Sequence, residues 1–184
     1  IMSAMSKLMA CWLLSITGNY LSAQGSFTLF SPHTSFPADL DSAKVDSFFT
    51  IRGINLHQSS NPELYYEVFR WYKTCYRYGG DTNKGIDCSG FMHMLFEKIY
   101  GKKLNSSSAS IYTQCQPLKG GVTKAQEGDL LFFKIKKKKI SHIGIYLQNG
   151  KFAHASTQAG VIISDLDEAY YKRYFYKAGS LKAE

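Results

Sequence analysis

The sequence predicts an α+β fold, with helices gathered in the first half and an antiparallel sheet of about five strands in the second, packed on an amphipathic helix. Apolar residues recur at helical spacing between residues 61 and 115. After Gly120-Gly121 the pattern changes to short β-branched and aromatic runs separated by turn residues. Those runs are joined by connections too short for parallel crossovers, which makes neighbouring strands antiparallel.

Asn61-Pro62-Glu63 reads as a helix start. It combines a capping side chain, a proline where the missing N–H is harmless, and an acid near the positive end. Leu64, Val68, Phe69 and Tyr72 form its apolar stripe, and Gly79-Gly80 closes the region. A second helix begins at Cys88 with Asp87 as N-cap and carries Phe91, Met92, Leu95, Phe96 and Ile99, with Gly101 as the stop. A third, shorter one is expected over 108–115. Strands are expected over 129–135, 140–147, 151–156, 160–164 and 174–178. Lys136-Lys137-Lys138-Lys139 falls between two of them and reads as a solvated hairpin tip.

The 184 residues suit one domain plus a tail. Residues 1–23 read as an export signal: Lys7, a short apolar core over 8–16, then Leu21-Ser22-Ala23. The mature protein is therefore expected to be exported, in the periplasm or cell envelope. Thr17-Gly18-Asn19 interrupts the apolar run well before the ~20 residues a membrane span needs. Leu8-Met9-Ala10-Cys11 mimics a lipoprotein cleavage box, and membrane attachment is expected only if Cys11 is lipidated. Residues 24–61 read as a linker or N-terminal extension with one short helix over 38–49, a packed strap being the alternative, and residues 62–184 as the functional domain. The net charge of +8 suits an anionic partner, but no nucleic-acid motif accompanies it. A monomer is expected.

Cys88 stands where a loop runs into a helix. There the dipole and free N–H groups favour a thiolate over a thiol of ordinary pKa, about 8.5. A cysteine nucleophile needs a base, and the base needs a group to fix its tautomer. His142 and His154, each in a strand-like run, can supply both. Of the other cysteines, Cys11 leaves with the signal, while Cys75 and Cys115 are expected to pair or, by the habit of free cysteine, to be buried. No Cys/His cluster has metal spacing, so neither metal nor cofactor is expected. His33, His57 and His93 have no companion motif.

The hairpin joining the histidines tests the idea. A plain two-residue Asn149-Gly150 turn would pair Gln148 with Lys151 and turn the two imidazoles to opposite faces. A three-residue loop with a left-handed Gly150 and a G1 bulge pairs Leu147 with Lys151 and Gly144 with His154, so both rings share a face. The second register is predicted.

Tyr76-Arg77-Tyr78-Gly79-Gly80, Asp87-Cys88-Ser89-Gly90, Gly128-Asp129-Leu130-Leu131-Phe132-Phe133, His142-Ile143-Gly144-Ile145-Tyr146 and His154-Ala155-Ser156 follow one another in this order. In that order the chain resembles the NlpC family of bacterial cell-wall endopeptidases over residues 63–181. Lys84-Gly85-Ile86 before Asp87, and Ser156-Thr157 before Gly160-Val161-Ile162-Ile163-Ser164, bring it nearest to the murein endopeptidases of that family. The resemblance implies a papain-like core and a cysteine peptidase with Cys88 as nucleophile, His142 as base and His154 as orienting group. It also places Tyr76 at the oxyanion or substrate. Ser89 and Ser141 flank the catalytic residues; they would hydrogen-bond substrate or serve helix and strand ends. The implied substrate and partner is peptidoglycan, cut between D-glutamate and diaminopimelate or, favoured here, at the D,D cross-link. Asn105-Ser106-Ser107 departs from the pattern, because many relatives carry a proline and an arginine before the Thr or Ser there. Two rival classes remain: a wall-binding protein without chemistry, and an acyltransferase on the same architecture.

Overall fold

The computed structural model describes residues 42–136 and 138–182. The expected export signal, Cys11, His33 and the stretch 24–41 lie outside the described residues. Helix α1 (Ser42–Thr50) buries Val45 and Phe49, and Ile54 follows them into the core. Phe49 meets Tyr65 edge to face at 4.9 Å, so the part of the expected linker that is described packs as a strap on the next helix.

Helix α2 (Pro62–Trp71) begins as its sequence dictates, with the Asn61 side chain accepting from the N–H groups of Glu63 and Leu64. Its buried face is wider than the expected stripe and includes Tyr65, Tyr66 and Glu67. The Glu67 carboxylate accepts from Trp71 Nε1 at 3.2 Å, meets Lys98 Nζ at 2.6 Å and Arg70 at 3.4 Å, and so ties α2 to the helix that carries Lys98.

A two-residue ladder, β1 (Asp81–Thr82) with β2 (Gly85–Ile86), leads into α3 (Cys88–Tyr100). Gly101, left-handed at φ 62°, ends α3 as expected. Phe91, Met92, Leu95 and Phe96 are buried, and Ile99 is half-buried. At Gly90 a Cβ would fall 2.3 Å from the Gly80 carbonyl oxygen. The loop can close on the start of α3 only because that position has no side chain. Helix α4 (Ser108–Gln114) starts with a reciprocal capping box between Ser107 and Ser110.

The main sheet comprises β3 (Cys115–Pro117), β4 (Leu130–Phe133), β5 (His142–Tyr146), β6 (Lys151–Ser156) and β7 (Gly160–Asp165), then, after helix α5 (Ala169–Tyr174), β8 (Phe175–Leu181). Its order is β3-β8-β4-β5-β6-β7, antiparallel throughout. Six strands replace the expected five. The extra one, β3, is a three-residue edge strand containing Pro117, a composition that only an edge tolerates and that gives no alternation to read. Helix α5 also went unforeseen, its six residues being too few for a period to show.

The sheet separates two apolar clusters. On one face α1 to α4 pack against Leu130, Phe132, Ile143, Ile145, Ala153 and Val161. On the other, Leu131, Phe133, Phe152 and Ala178 pack with Leu166 and Tyr171. Among the described residues no helix is long and apolar enough to cross a membrane.

Candidate active site

Asp87 caps α3, its Oδ1 accepting from the Gly90 N–H at 2.7 Å while Oδ2 accepts from the Gly79 N–H at 2.8 Å. The cap fixes Cys88 in the first turn, where its sulfur receives hydrogen bonds from the backbone of Cys88, Ser89 and Ile143. Ile143 adjoins His142, which brings the thiol to the start of β5. The β5–β6 ladder is closed at Tyr146↔Phe152 and Ile145↔Ala153. Beyond it the two histidines face each other.

Their rings meet as predicted. His142 Nε2 lies 2.9 Å from His154 Nδ1, with the ring centroids 4.9 Å apart and the planes nearly perpendicular. Leu147 N–H bonds to the Lys151 carbonyl, which gives the predicted register. The device that produces it differs in detail. Asn149 (φ 53°) and Gly150 (φ 74°) are both left-handed, as in a primed turn, and the Lys151 N–H closes that turn on the Gln148 carbonyl. Gln148 is thus the extra residue, and it shifts the register behind a turn that is itself tight.

Burial decides the charges here. It pushes the Cys88 thiol up to about 11, with the Asp87 carboxylate adding to the rise and the backbone N–H donors opposing it. The depressed thiol expected from the helix start is therefore not found, because desolvation outweighs the helix end. Burial takes His142 down to about 4 and His154 well below its ordinary value, with His142 adding to the latter. At neutral pH the set is a thiol and two uncharged imidazoles.

Tyr76 stands close enough to Cys88 and Asp87 for both to raise its phenol, which burial chiefly pushes up to about 12. It therefore remains an O–H donor beside the sulfur. Ser89 donates to Asp87 Oδ1 at 2.9 Å, and Ser141 Oγ accepts from the N–H groups of Ile135 and Lys136. Both hydroxyls serve the ends of their elements, the second of the two roles expected for them.

Cys115 is buried and free, whereas Cys75 is free and exposed, so the two neither pair nor share a buried fate. Among the described residues no three His, Cys, Asp or Glu side chains gather to hold a metal ion. Two neighbours of the site were missed: Ser164 Oγ and Tyr171 Oη each lie 3.1 Å from His154 Nε2. Ser164 was within reach of the argument used for His142. The loop 157–159 pairs Ser156 with Gly160 and hence His154 with Ile162, leaving Ser164 as a diagonal neighbour on the same face.

The NlpC/P60 family matches residues 73–180, more than half of the chain and the whole of this site. The chain belongs to the NlpC/P60 family. Within it, the chain is 42% identical over 107 residues to a probable endopeptidase NlpC homolog of Haemophilus influenzae, covering 57% of this chain and 54% of that protein. It is 41% identical over 110 residues to murein DD-endopeptidase MepS/murein LD-carboxypeptidase of Escherichia coli, covering 59% and 56%. The chain thus spans about half the length of these relatives. An NlpC/P60 family protein of Bacillus cereus shares its fold, with a TM-score of 0.59 at 23% identity over 65% of this chain and 39% of that one.

Proposed function

We propose that this NlpC/P60 domain is a cysteine peptidase that hydrolyses stem peptides or cross-links of bacterial peptidoglycan through Cys88, His142 and His154. The observation that carries the reading is the 2.9 Å contact between His142 Nε2 and His154 Nδ1 at the strand beside the thiol. It engages Nε2 of His142 and leaves Nδ1 for the sulfur's proton. The names of the relatives, a probable endopeptidase and a murein DD-endopeptidase, supply the substrate class.

With thiol and imidazole both neutral at rest, the proton moves as the substrate reacts. The S–H proton passes to His142 Nδ1 while sulfur bonds to the peptide carbonyl carbon, and the imidazolium forms between the thiol and His154. The oxyanion is received by the Cys88 N–H and the Tyr76 hydroxyl; one such donor is worth about 3 kcal/mol in comparable sites. His142 then protonates the departing amine as the C–N bond breaks, and activates the water that hydrolyses the thioester.

The D,D cross-link is the favoured bond, supported by the likeness to MepS. Asn105 and Ser106 stand where many relatives carry a proline and an arginine before a Thr or Ser; the Asn105 N–H is engaged locally by Gln114, and Ser107, which keeps the pattern, caps α4. No cation stands at those positions for a substrate carboxylate, which separates this chain from relatives that have the arginine. Such a substrate puts the work outside the inner membrane, consistent with the export signal read from residues 1–23. Digestion of purified sacculi with mass analysis of the released fragments tests the proposal. Tetrapeptide monomers appearing from cross-linked dimers support it. Fragments identical with and without Cys88 would overturn it.

A further inference from the structure

His154 can orient His142 only if its own proton is on the correct nitrogen. For His142 Nδ1 to accept from the thiol, His142 must carry its hydrogen on Nε2 and donate it to His154 Nδ1. His154 must then be protonated at Nε2. The reverse polarity, with hydrogen on His154 Nδ1, forces the His142 hydrogen onto Nδ1 and blocks the base. Nothing in the pair itself chooses between the two.

The acceptors that the Nε2–H form of His154 needs lie one step further along. His154 is 1% exposed, so an Nε2–H on its ring needs an acceptor within the protein, and Ser164 at 6% and Tyr171 at 8% are themselves buried. Ser164 on β7 and Tyr171 on α5 both place a hydroxyl oxygen 3.1 Å from His154 Nε2. Ser164 also bonds to the Tyr171 oxygen. When Ser164 donates that bond, its lone pairs are free for the His154 Nε2–H, and the Tyr171 hydrogen must then point away from His154, since an O–H aimed at Nε2 would select the other tautomer. Burial keeps Tyr171 a phenol, so the clamp stays uncharged. The ring is fixed from its sides as well: Phe152 stacks on it at 4.9 Å, and Tyr171 stands edge-on at 5.2 Å. The titratable groups facing His154 are His142 from β5 and Tyr171 from α5, with Cys88 beyond His142.

We propose that Ser164 and Tyr171 form a hydroxyl clamp that holds His154 in its Nε2–H tautomer and thereby sets the direction of proton transfer along Cys88, His142 and His154. They are positioning residues, acting through His154 and not on substrate. The inference rests on the peptidase reading of the site, but its first readout does not.

Nitrogen-15 NMR of the histidine rings in the wild-type protein should show His154 protonated at Nε2 and His142 at Nε2. A hydrogen on His154 Nδ1 overturns the proposal, whatever the protein's activity. Ser164→Ala with Tyr171→Phe should move the His154 hydrogen to Nδ1. It should also lower kcat on a cross-linked muropeptide dimer about 100-fold, the upper range for loss of an outer-shell partner, with KM within about twofold. Each single substitution leaves one acceptor and should cost about tenfold or less, and Ser164→Thr, which keeps the hydroxyl, should restore most of the rate. A double variant that retains the Nε2 tautomer, or loses nothing in kcat, sinks the clamp while leaving the peptidase reading intact. If the double variant does not fold, the wild-type tautomer and the Ser164→Ala against Ser164→Thr contrast decide the matter.

Discussion

The two faces of the sheet hold the candidate catalytic groups by different means. On the helix face, Cys88 is fixed by a capped helix start, receives backbone hydrogen bonds, and has the fixed charge of Asp87 beside it. On the opposite face, His142 and His154 lie among Phe133, Phe152 and Tyr171, and their hydrogen bonds run to each other and to two hydroxyls. Burial acts on both faces and leaves both uncharged, raising the thiol to about 11 and lowering His142 to about 4. The thiol is thus adjustable through a neighbouring charge, while the histidines are adjustable through the placement of a hydrogen.

The bluntest way to break the comparison is to delete its reacting atoms. On the proposed mechanism Cys88→Ala and His142→Ala should each reduce turnover of sacculi by about 10^4-fold or more, since removing the proposed nucleophile or its proposed base leaves only binding and oxyanion stabilisation. His154→Ala should cost less, about 100-fold, because it removes orientation and not chemistry. Equal losses at His142 and His154 would refute the division of roles. All three proteins should melt within a few degrees of the wild type if the sites are catalytic and not structural.

The histidine face should also be visible in stability without any substrate. Between pH 6.5 and about 4 the unfolded chain binds a proton at position 142 that the buried imidazole refuses, so stability falls as pH drops through that window and levels off below it. The full difference is about 3 kcal/mol. His154, shifted the same way, adds to it. Urea unfolding at pH 7 and at pH 4.5 should show His142→Gln losing less stability on acidification than the wild type. An unchanged acid slope would mean that the imidazole is not excluded from water.

Much of this arrangement was legible because it obeys local rules. Asn61 and Asp87 cap helices where their side chains can reach the next N–H groups, and Gly101 ends α3 by adopting the left-handed conformation expected of it. The shared face of His142 and His154 followed from counting residues across one hairpin, although the extra residue is Gln148 behind a tight turn. What was not legible depends on tertiary context. The high thiol pKa arises from burial by α3 packing on β5 and β6, which no spacing announces. Tyr171 reaches His154 from a helix too short to show a period, and Cys75 is exposed although its type is usually buried.

The finest test adjusts the thiol face alone. Asp87→Asn keeps an acceptor for the Gly90 N–H, and asparagine ranks with aspartate as an N-cap, so α3 should start unchanged. The substitution removes the carboxylate charge that raises the thiol, so the Cys88 ionisation should move down toward its ordinary value. At pH 8 a larger fraction of Cys88 is then thiolate, and its alkylation by iodoacetamide should be several-fold faster than in the wild type. The bond from the Gly79 N–H to Oδ2 is weakened or lost if the amide nitrogen takes that place, a loss of about 1 kcal/mol that chemical denaturation would register. Faster alkylation together with a small stability loss locates the control of the thiol in that single charge. Unchanged alkylation would show that desolvation alone sets it, and that the two faces differ less than their neighbours imply.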